Sequence, residues 1–395
     1  MSEIFFDAER GLLDPAVFSN AQVFECELER IFARHWLFVC PASWIAEQGA
    51  FVVSRMGMTS VLAWRGAAGP RVFINRCVAS EASVVTNDRG HAEILHCPCH
   101  GWAYSIEGGG DVIALDEVPR VEIYSGLLFA CMDAEAPSLA ESLGDFGFYL
   151  DLIPQSFSGG IEIFGDTPMR TKLAANWKLA VEASSGDIYQ EGTLTRASHD
   201  VLGDAELVQD SGVQASTAIG AALLVDSGEA VTAGPIAPNA WRVLSATLFP
   251  NLSYDGRAGA LHVWHPCGPQ ETELHTYCLT GADETMPQKE DRLRSCRLRF
   301  GAAGFETQDA KTVWSSITRT SRGLLARRTP LNFQMGIGKT RHSNLPGLVA
   351  DLFSESNQRQ FYSWWQSQMQ RRPVGEGQPR TMRIFRPISR SPRQP

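Results

Sequence analysis

Two cysteines and a histidine constrain this chain more than any other feature of its sequence. Cys77 lies 20 residues before Cys97, which opens the segment Cys-Pro-Cys-His-Gly-Trp that contains His100. Short β-rich runs surround both cysteines, and Gly, Pro and Asn-Asp turns separate the runs. Nine irregularly spaced cysteines are better interpreted as metal or redox candidates than as a disulfide framework. The pattern predicts a small antiparallel β domain with metal-type ligands on its loops.

The rest of the chain predicts a second, α+β domain. Residues 14–36 indicate a helix, β-rich runs return from Ile161, and a helix follows Asn176. Strand patterns then give way to helical patterns without strict alternation, which is typical of an α+β fold. We therefore predict an N-terminal helical segment at 1–36 that packs on the second domain. The β domain is predicted at 37–135, the α+β domain at 136–370, and a basic, disordered tail at 371–395.

Charge and hydropathy exclude several classes of partner. The net charge of -9 over 395 residues argues against nucleic acid or an anionic membrane as the main partner. The tail is the exception, because residues 371–395 contain seven Arg, one Glu and five Pro. No apolar run approaches the ~18 residues that span a bilayer. We expect a cytoplasmic protein.

The segment NRCVASEASVV…ILHCPCHGW resembles the Rieske motif, in which two Cys bind one iron of a 2Fe–2S cluster and two His bind the other. The family spacing is Cys-x-His, about 15 to 17 residues, then Cys-x-x-His-Gly-Trp. The resemblance implies Cys77, Cys97 and His100 as residual ligands. The first His position is Ala79, which 17 residues separate from Cys97.

A methyl group at position 79 leaves one iron with a single imidazole, so the cluster is predicted to be absent or labile. Two substitutes stay open, Cys99 and His96, although neighbouring extended residues point to opposite faces. If neither residue replaces the lost imidazole, we expect a β domain that has kept its loops but holds no cluster. A zinc site is a further alternative. Its ligands would be Cys77, Cys97, Cys99 and His100.

The segment NWKLAVEASSGDIYQEGTLTRAS, from Asn176, resembles the helix that delivers two His ligands to the mononuclear iron of Rieske aromatic-ring-hydroxylating oxygenases. The family pattern places an Asp after Asn-Trp-Lys, then a His three residues on, then a second His. Asp187 fits the pattern. The two His positions are occupied by Gln190 and Thr195.

The third iron ligand of that family is a carboxylate in a Gly-Phe-x-Glu-x-Asp-Asp segment. The matching segment GFETQDAKTVW places Ala310 at the ligand position, although a slip of one residue would place Asp309 there. A 2-His-1-carboxylate site needs two neutral imidazoles and a carboxylate on one face of Fe(II). We therefore expect no metal at the mononuclear site. An oxygen-rich site built from neighbouring groups stays open as an alternative: Asp187, Glu191, His199, Asp200 and Asp309.

The resemblance covers nearly the whole chain and points to the alpha subunits of the biphenyl and benzene dioxygenase branch. It implies a helix-grip-like catalytic domain and assembly with beta subunits. In the family, a Rieske His of one subunit contacts an Asp of the next, and electrons cross the trimer interface through that contact. The resemblance implies that His100 and Asp187 occupy these two positions.

Three functions follow from this pattern. The leading prediction is a catalytically inactive alpha-like subunit, structural or regulatory, that assembles with an intact alpha subunit, beta subunits or both. Two alternatives are an atypical active oxygenase with rescued or different metal ligands, and a pseudoenzyme that binds a hydrophobic aromatic ligand. Whether the chain is an enzyme stays open from the sequence.

Overall fold

The computed structural model describes residues 5–108, 112–186, 212–226 and 241–371. These residues form the α+β structure that the sequence predicts. No helix among them is long and apolar enough to cross a membrane. The predicted disordered tail lies outside the described residues except for Arg371.

The N-terminal segment is less continuous than the predicted helix. Two short strands, β1 (Phe6–Asp7) and β2 (Leu12–Leu13), precede helix α1 (Ala21–Glu27). The Asn20 side chain accepts hydrogen bonds from the N–H groups of Gln22 and Val23, which satisfies two otherwise unpaired donors at the start of α1. A wider π turn at Leu28–Phe32 ends the helical stretch.

The first domain is a set of small β sheets. Alternation of polar and apolar residues forms the hairpin of its two central strands, and Gly57 at φ 58° supplies the left-handed turn between them. The strands are β3 (Leu37–Pro41), β4 (Ala50–Met56), β5 (Thr59–Gly66), β6 (Gly69–Ile74), β7 (Arg89–His91), β8 (Leu95–His96), β9 (Ala103–Ser105), β10 (Ile113–Ala114), β11 (Arg120–Tyr124) and β12 (Leu127–Cys131). They form three sheets with the orders β6-β5-β4-β7, β10-β9-β8 and β11-β12-β3, antiparallel except for the β9–β10 pair.

The second domain is built on an antiparallel sheet whose eight described strands have the order β13-β19-β18-β17-β16-β15-β14-β21. Two short helices, α2 (Leu139–Leu143) and α3 (Phe146–Leu152), lead into this sheet from the first domain. The strands are β13 (Ile161–Leu173), β14 (Val213–Ser216), β15 (Gly220–Asp226), β16 (Trp241–Leu248), β17 (Leu252–Asp255), β18 (Ala260–Gly268), β19 (Glu271–Gly281) and β21 (Leu348–Asp351). The short strand β20 (Leu331–Asn332) pairs instead with β2.

Four helices of the second domain lie near the sheet. They are α4 (Trp177–Ser184), α5 (Met286–Phe300), α6 (Phe305–Thr320) and α7 (Ser356–Met369). Helix α4 contacts β17 and β18, and α7 contacts β14 and β15. The buried Trp177 of α4 packs against Phe32 of the N-terminal segment, with ring centroids 5.0 Å apart. The N-terminal segment therefore contacts the second domain, while the residue boundaries between domains stay predictions.

Candidate functional site

The loops after β6 and β8 bring three predicted ligands together. Donor atoms of Cys77, Cys97 and His100 all lie within 4.8 Å of one another. The Cys97 sulfur and His100 Nδ1 are 3.9 Å apart. A tight turn produces this approach, because the Gly101 N–H donates to the Cys97 carbonyl oxygen at 2.8 Å and Gly101 has φ 68°. Among the described residues, this is the one group of three or more such ligands.

The Cys77 sulfur accepts hydrogen bonds that favour its thiolate form. The Tyr104 hydroxyl donates to it at 3.3 Å. Burial raises the pKa of Cys77, but the hydrogen bonds from Tyr104, Ser80 and the Ala79 backbone outweigh burial and lower the pKa to about 6. A thiolate is the form that binds metal.

These residues do not fit a 2Fe–2S cluster. Ala79 is exposed and brings no donor atom, so one iron would lack its second imidazole. Cys99 and His96 are also exposed and lie outside the group of three ligands. A cluster would bind the cysteines and the histidine to different irons, so the Cys97 and His100 donors would lie farther apart than the 3.9 Å seen here.

A second candidate site is a cavity between the large sheet and helices α4, α5 and α6. Its volume is about 100 Å³. Trp264, Phe300 and Trp314 form its aromatic walls, and Ser245 and Thr307 add hydroxyl groups. Asp187, Gln190 and Thr195, the other sequence-predicted residues of the mononuclear iron site, lie outside the described residues.

Helix α6 determines which residue of the Asp309-Ala310 pair faces the cavity. Ala310 is 8% exposed and lines it, on the same helix face as Glu306 and Trp314 at i−4 and i+4. Asp309 is exposed to solvent. A helix turns by about 100° per residue, and this turn carries Asp309 to the solvent side while Ala310 faces inward. The cavity therefore receives a methyl group from position 310.

Buried ion pairs, which the sequence did not reveal, occupy the cavity wall. Arg299 Nη1 lies 2.5 Å from the Glu306 carboxylate, and Arg257 Nη2 lies 3.2 Å from that of Asp255. Burial and the nearby Asp255 raise the pKa of Glu306 in spite of Arg299. The carboxylates here already have cationic partners.

The histidine in this wall is also engaged. His262 Nδ1 lies 3.0 Å from the Thr276 hydroxyl, and its ring packs against Phe300 with centroids 4.6 Å apart. Burial lowers the pKa of His262 to about 4, so the imidazole is neutral near pH 7. Neither this histidine nor the paired carboxylates form a group of three neighbouring ligands within the part of the chain that is described.

A buried carboxylate that no sequence motif marks holds the Asn176-Trp177-Lys178 segment in place. Asn176 caps α4 by accepting the Lys178 N–H at 3.0 Å. Glu27 of α1 accepts hydrogen bonds from Trp177 Nε1 at 2.8 Å and from Lys178 Nζ at 2.5 Å. Trp365 Nε1 donates to the same carboxylate at 2.8 Å. This motif therefore holds three segments together, which is a structural role.

Family models match both domains. Residues 35–125 match the Rieske [2Fe-2S] domain, and residues 162–371 match the ring hydroxylating alpha subunit catalytic domain.

Individual relatives match over most of the chain. The biphenyl dioxygenase subunit alpha of Paraburkholderia xenovorans is 31% identical, covering 92% of this chain and 92% of the relative. The benzene 1,2-dioxygenase subunit alpha of Pseudomonas putida is 29% identical, covering 93% of each chain. The crystal structure of naphthalene 1,2-dioxygenase from Rhodococcus sp. bound to indole is 28% identical, with a TM-score of 0.78 and coverage of 93% of this chain and 95% of that one. The chain therefore belongs to the alpha subunits of the Rieske ring-hydroxylating oxygenases, among relatives that act in biphenyl and benzene dioxygenases.

Proposed function

We propose that this alpha subunit is catalytically inactive and serves as a structural or regulatory component that assembles with an intact oxygenase alpha subunit, beta subunits or both. The observation that carries the proposal is Ala310, which presents a methyl group to the cavity where a carboxylate is needed for Fe(II). The sequence adds Gln190 and Thr195 at the two histidine positions. An amide and a hydroxyl are weak ligands for Fe(II).

The electrostatics of the cavity wall support the same proposal. Asp255 and Glu306 are the carboxylates nearest to the aromatic walls, and each is paired with an arginine. Breaking a buried ion pair leaves an uncompensated charge and costs about 3–5 kcal/mol. A metal ion entering this cavity would therefore have to compete with Arg257 and Arg299.

Iron analysis of protein purified without oxygen tests the proposal. We expect no stoichiometric Fe(II) at the mononuclear site, because position 310 lacks a donor. About one Fe(II) per chain in addition to any cluster iron would favour the alternative, an active oxygenase that uses different ligands. Asp309→Ala is the matched control, since Asp309 is exposed and its loss should change no metal content.

The assembly role rests on the family, whose relatives are named as alpha subunits of biphenyl and benzene dioxygenases. We propose a cytoplasmic location, because nine irregularly spaced cysteines favour reduced thiols over a disulfide framework.

A second candidate is a free-standing subunit that binds an aromatic compound. The cavity lined by Trp264, Phe300 and Trp314 favours it, because an engineered apolar cavity of about 150 Å³ binds benzene. The two candidates differ in one observation. A monomer whose tryptophan fluorescence changes on adding a single-ring aromatic compound would support the ligand binder, whereas mixed oligomers would support the subunit.

A further inference from the structure

The spacing of Cys77, Cys97 and His100 is that of ligands which share one ion. A tetrahedral zinc ion has Zn–S bonds of about 2.3 Å and Zn–N bonds of about 2.0–2.1 Å, so its sulfur and nitrogen ligands lie roughly 3.5 Å apart. The Cys97 sulfur and His100 Nδ1 are 3.9 Å apart, and all three donors lie within 4.8 Å. A small adjustment of the His100 side chain would close the site around one ion.

The chemistry of the donors selects among metals. Two thiolates and one imidazole suit a borderline-soft ion that accepts tetrahedral geometry, and zinc binds such Cys₂His sets with a fourth, open position. Hard ions such as Mg²⁺ and Ca²⁺ prefer oxygen ligands, which this group does not provide.

The surroundings of the site leave room for a fourth ligand from solvent. Cys77 and Cys97 are buried, with 0% and 1% exposure, whereas His100 is exposed. Ala79 also lies at the surface, so position 79 brings no imidazole to the outer side of the site. One face is therefore anchored in the β domain and the other is open to water.

We propose that Cys77, Cys97 and His100 bind a single Zn²⁺ ion, whose fourth ligand is a water molecule. This replaces the two-iron cluster of the family and differs from a four-residue zinc site, because Cys99 takes no part. The ion ties the loop after β6 to the turn after β8 and leaves one coordination position open to solvent. The inference does not depend on the proposed function, since the cavity of the second domain is not involved.

Metal titration of the full-length chain tests the inference. Protein purified without oxygen and treated with a chelator is titrated with Zn²⁺ alone, and with Co²⁺ as a coloured substitute. We expect one zinc ion per chain, and thiolate-to-cobalt charge-transfer absorption in the near ultraviolet. His100→Ala and Cys97→Ser should weaken binding by more than the roughly 10- to 100-fold that the loss of an outer-shell partner costs.

Two matched controls use exposed residues beside the ligands. Cys99→Ser and His96→Ala should leave stoichiometry and affinity unchanged. Loss of zinc in Cys99→Ser, or full binding in His100→Ala, would overturn the proposed ligand set. His100 is at the surface, so its variant should fold and gives a result even if Cys97→Ser does not.

Reconstitution with iron and sulfide separates zinc from a rescued cluster. We expect the unaltered chain to retain little iron and acid-labile sulfide, and Ala79→His to retain more, because it supplies the imidazole that the second iron lacks. Stable retention of two irons and two sulfides by the unaltered chain, with a Rieske-type EPR signal, would refute the zinc site. A Rieske-type EPR signal reports the cluster and not mononuclear Fe(II). This result would therefore refute the zinc site without bearing on the proposed inactivity.

Discussion

At the residue scale, the proposed inactivity rests on small side chains at positions that the family resemblance assigns to metal ligands. Ala79 and Ala310 each present a methyl group there, while the local backbone still forms. Ala310 lies on the inward face of α6, and Ala79 lies in the loop that brings Cys77 to Cys97 and His100. The proposed loss of chemistry would therefore be local.

Restoring the ligands should restore iron binding if the scaffold has kept its geometry. We expect the triple variant Gln190→His, Thr195→His, Ala310→Asp to bind about one Fe(II) per chain, because it rebuilds a 2-His-1-carboxylate set. Ala310→Asp alone should not, since a single carboxylate is too weak a site. Anaerobic iron analysis measures both. A triple variant that folds, as judged by circular dichroism, but binds no iron would show that the site geometry has also been lost.

At the scale of elements, a single buried carboxylate joins α1, α4 and α7. Glu27 and Lys178 are both fully buried and 2.5 Å apart, and Trp177 and Trp365 donate to the same carboxylate. Burial lowers the pKa of Lys178, while Glu27 opposes that shift. Hydrogen bonds from Trp177, Lys178 and Trp365 to the Glu27 carboxylate offset the cost of burying its charge.

Removing that carboxylate should destabilise the protein without touching either candidate site. We expect Glu27→Ala to lower the free energy of unfolding by about 3–5 kcal/mol, because it leaves the Lys178 ammonium buried and unpaired. Urea denaturation followed by tryptophan fluorescence measures the change. Glu25→Ala, an exposed residue of the same helix, should change it by less than about 0.5 kcal/mol. Equal effects of the two variants would contradict the structural role of Glu27.

At the scale of the whole molecule, both domains of an alpha subunit are present, and their relatives match over more than 90% of the chain. His100 lies on the surface of the first domain. Family resemblance assigns it, with Asp187, to the contact between neighbouring subunits. Retained contact residues and lost iron ligands together favour a subunit that assembles without catalysing.

Mixed assemblies should therefore form. We expect native mass spectrometry of this chain, coexpressed with an intact alpha subunit and its beta subunit, to detect mixed trimers of alpha-type chains. Asp187→Ala should leave product formation by the mixed assembly unchanged, because this chain holds no catalytic iron to receive an electron. A chain that stays monomeric with every candidate partner would contradict the subunit role. A loss of activity in the Asp187→Ala assembly would show that this chain has a working iron.

The sequence by itself determined whatever depends on local pattern. Alternating residues predicted the β domain, and the Asn-Trp-Lys segment predicted the start of α4. The resemblance to the Rieske motif placed Cys77, Cys97 and His100 in one group of ligands, with a gap at Ala79. These features need only neighbours along the chain. The broken N-terminal helix was not predicted, because its turns depend on contacts with the second domain.

Only the tertiary structure decided the features that depend on which way a side chain points. It placed Ala310 in the cavity and Asp309 in solvent, excluded Cys99 and His96 from the ligand group, and paired Glu27 with Lys178 across 151 positions of the chain. The physical reason is that the number of residues between two groups sets only an upper limit on their separation. Packing of helices against the sheet selects one arrangement within that limit, and with it the donors that can meet at a metal.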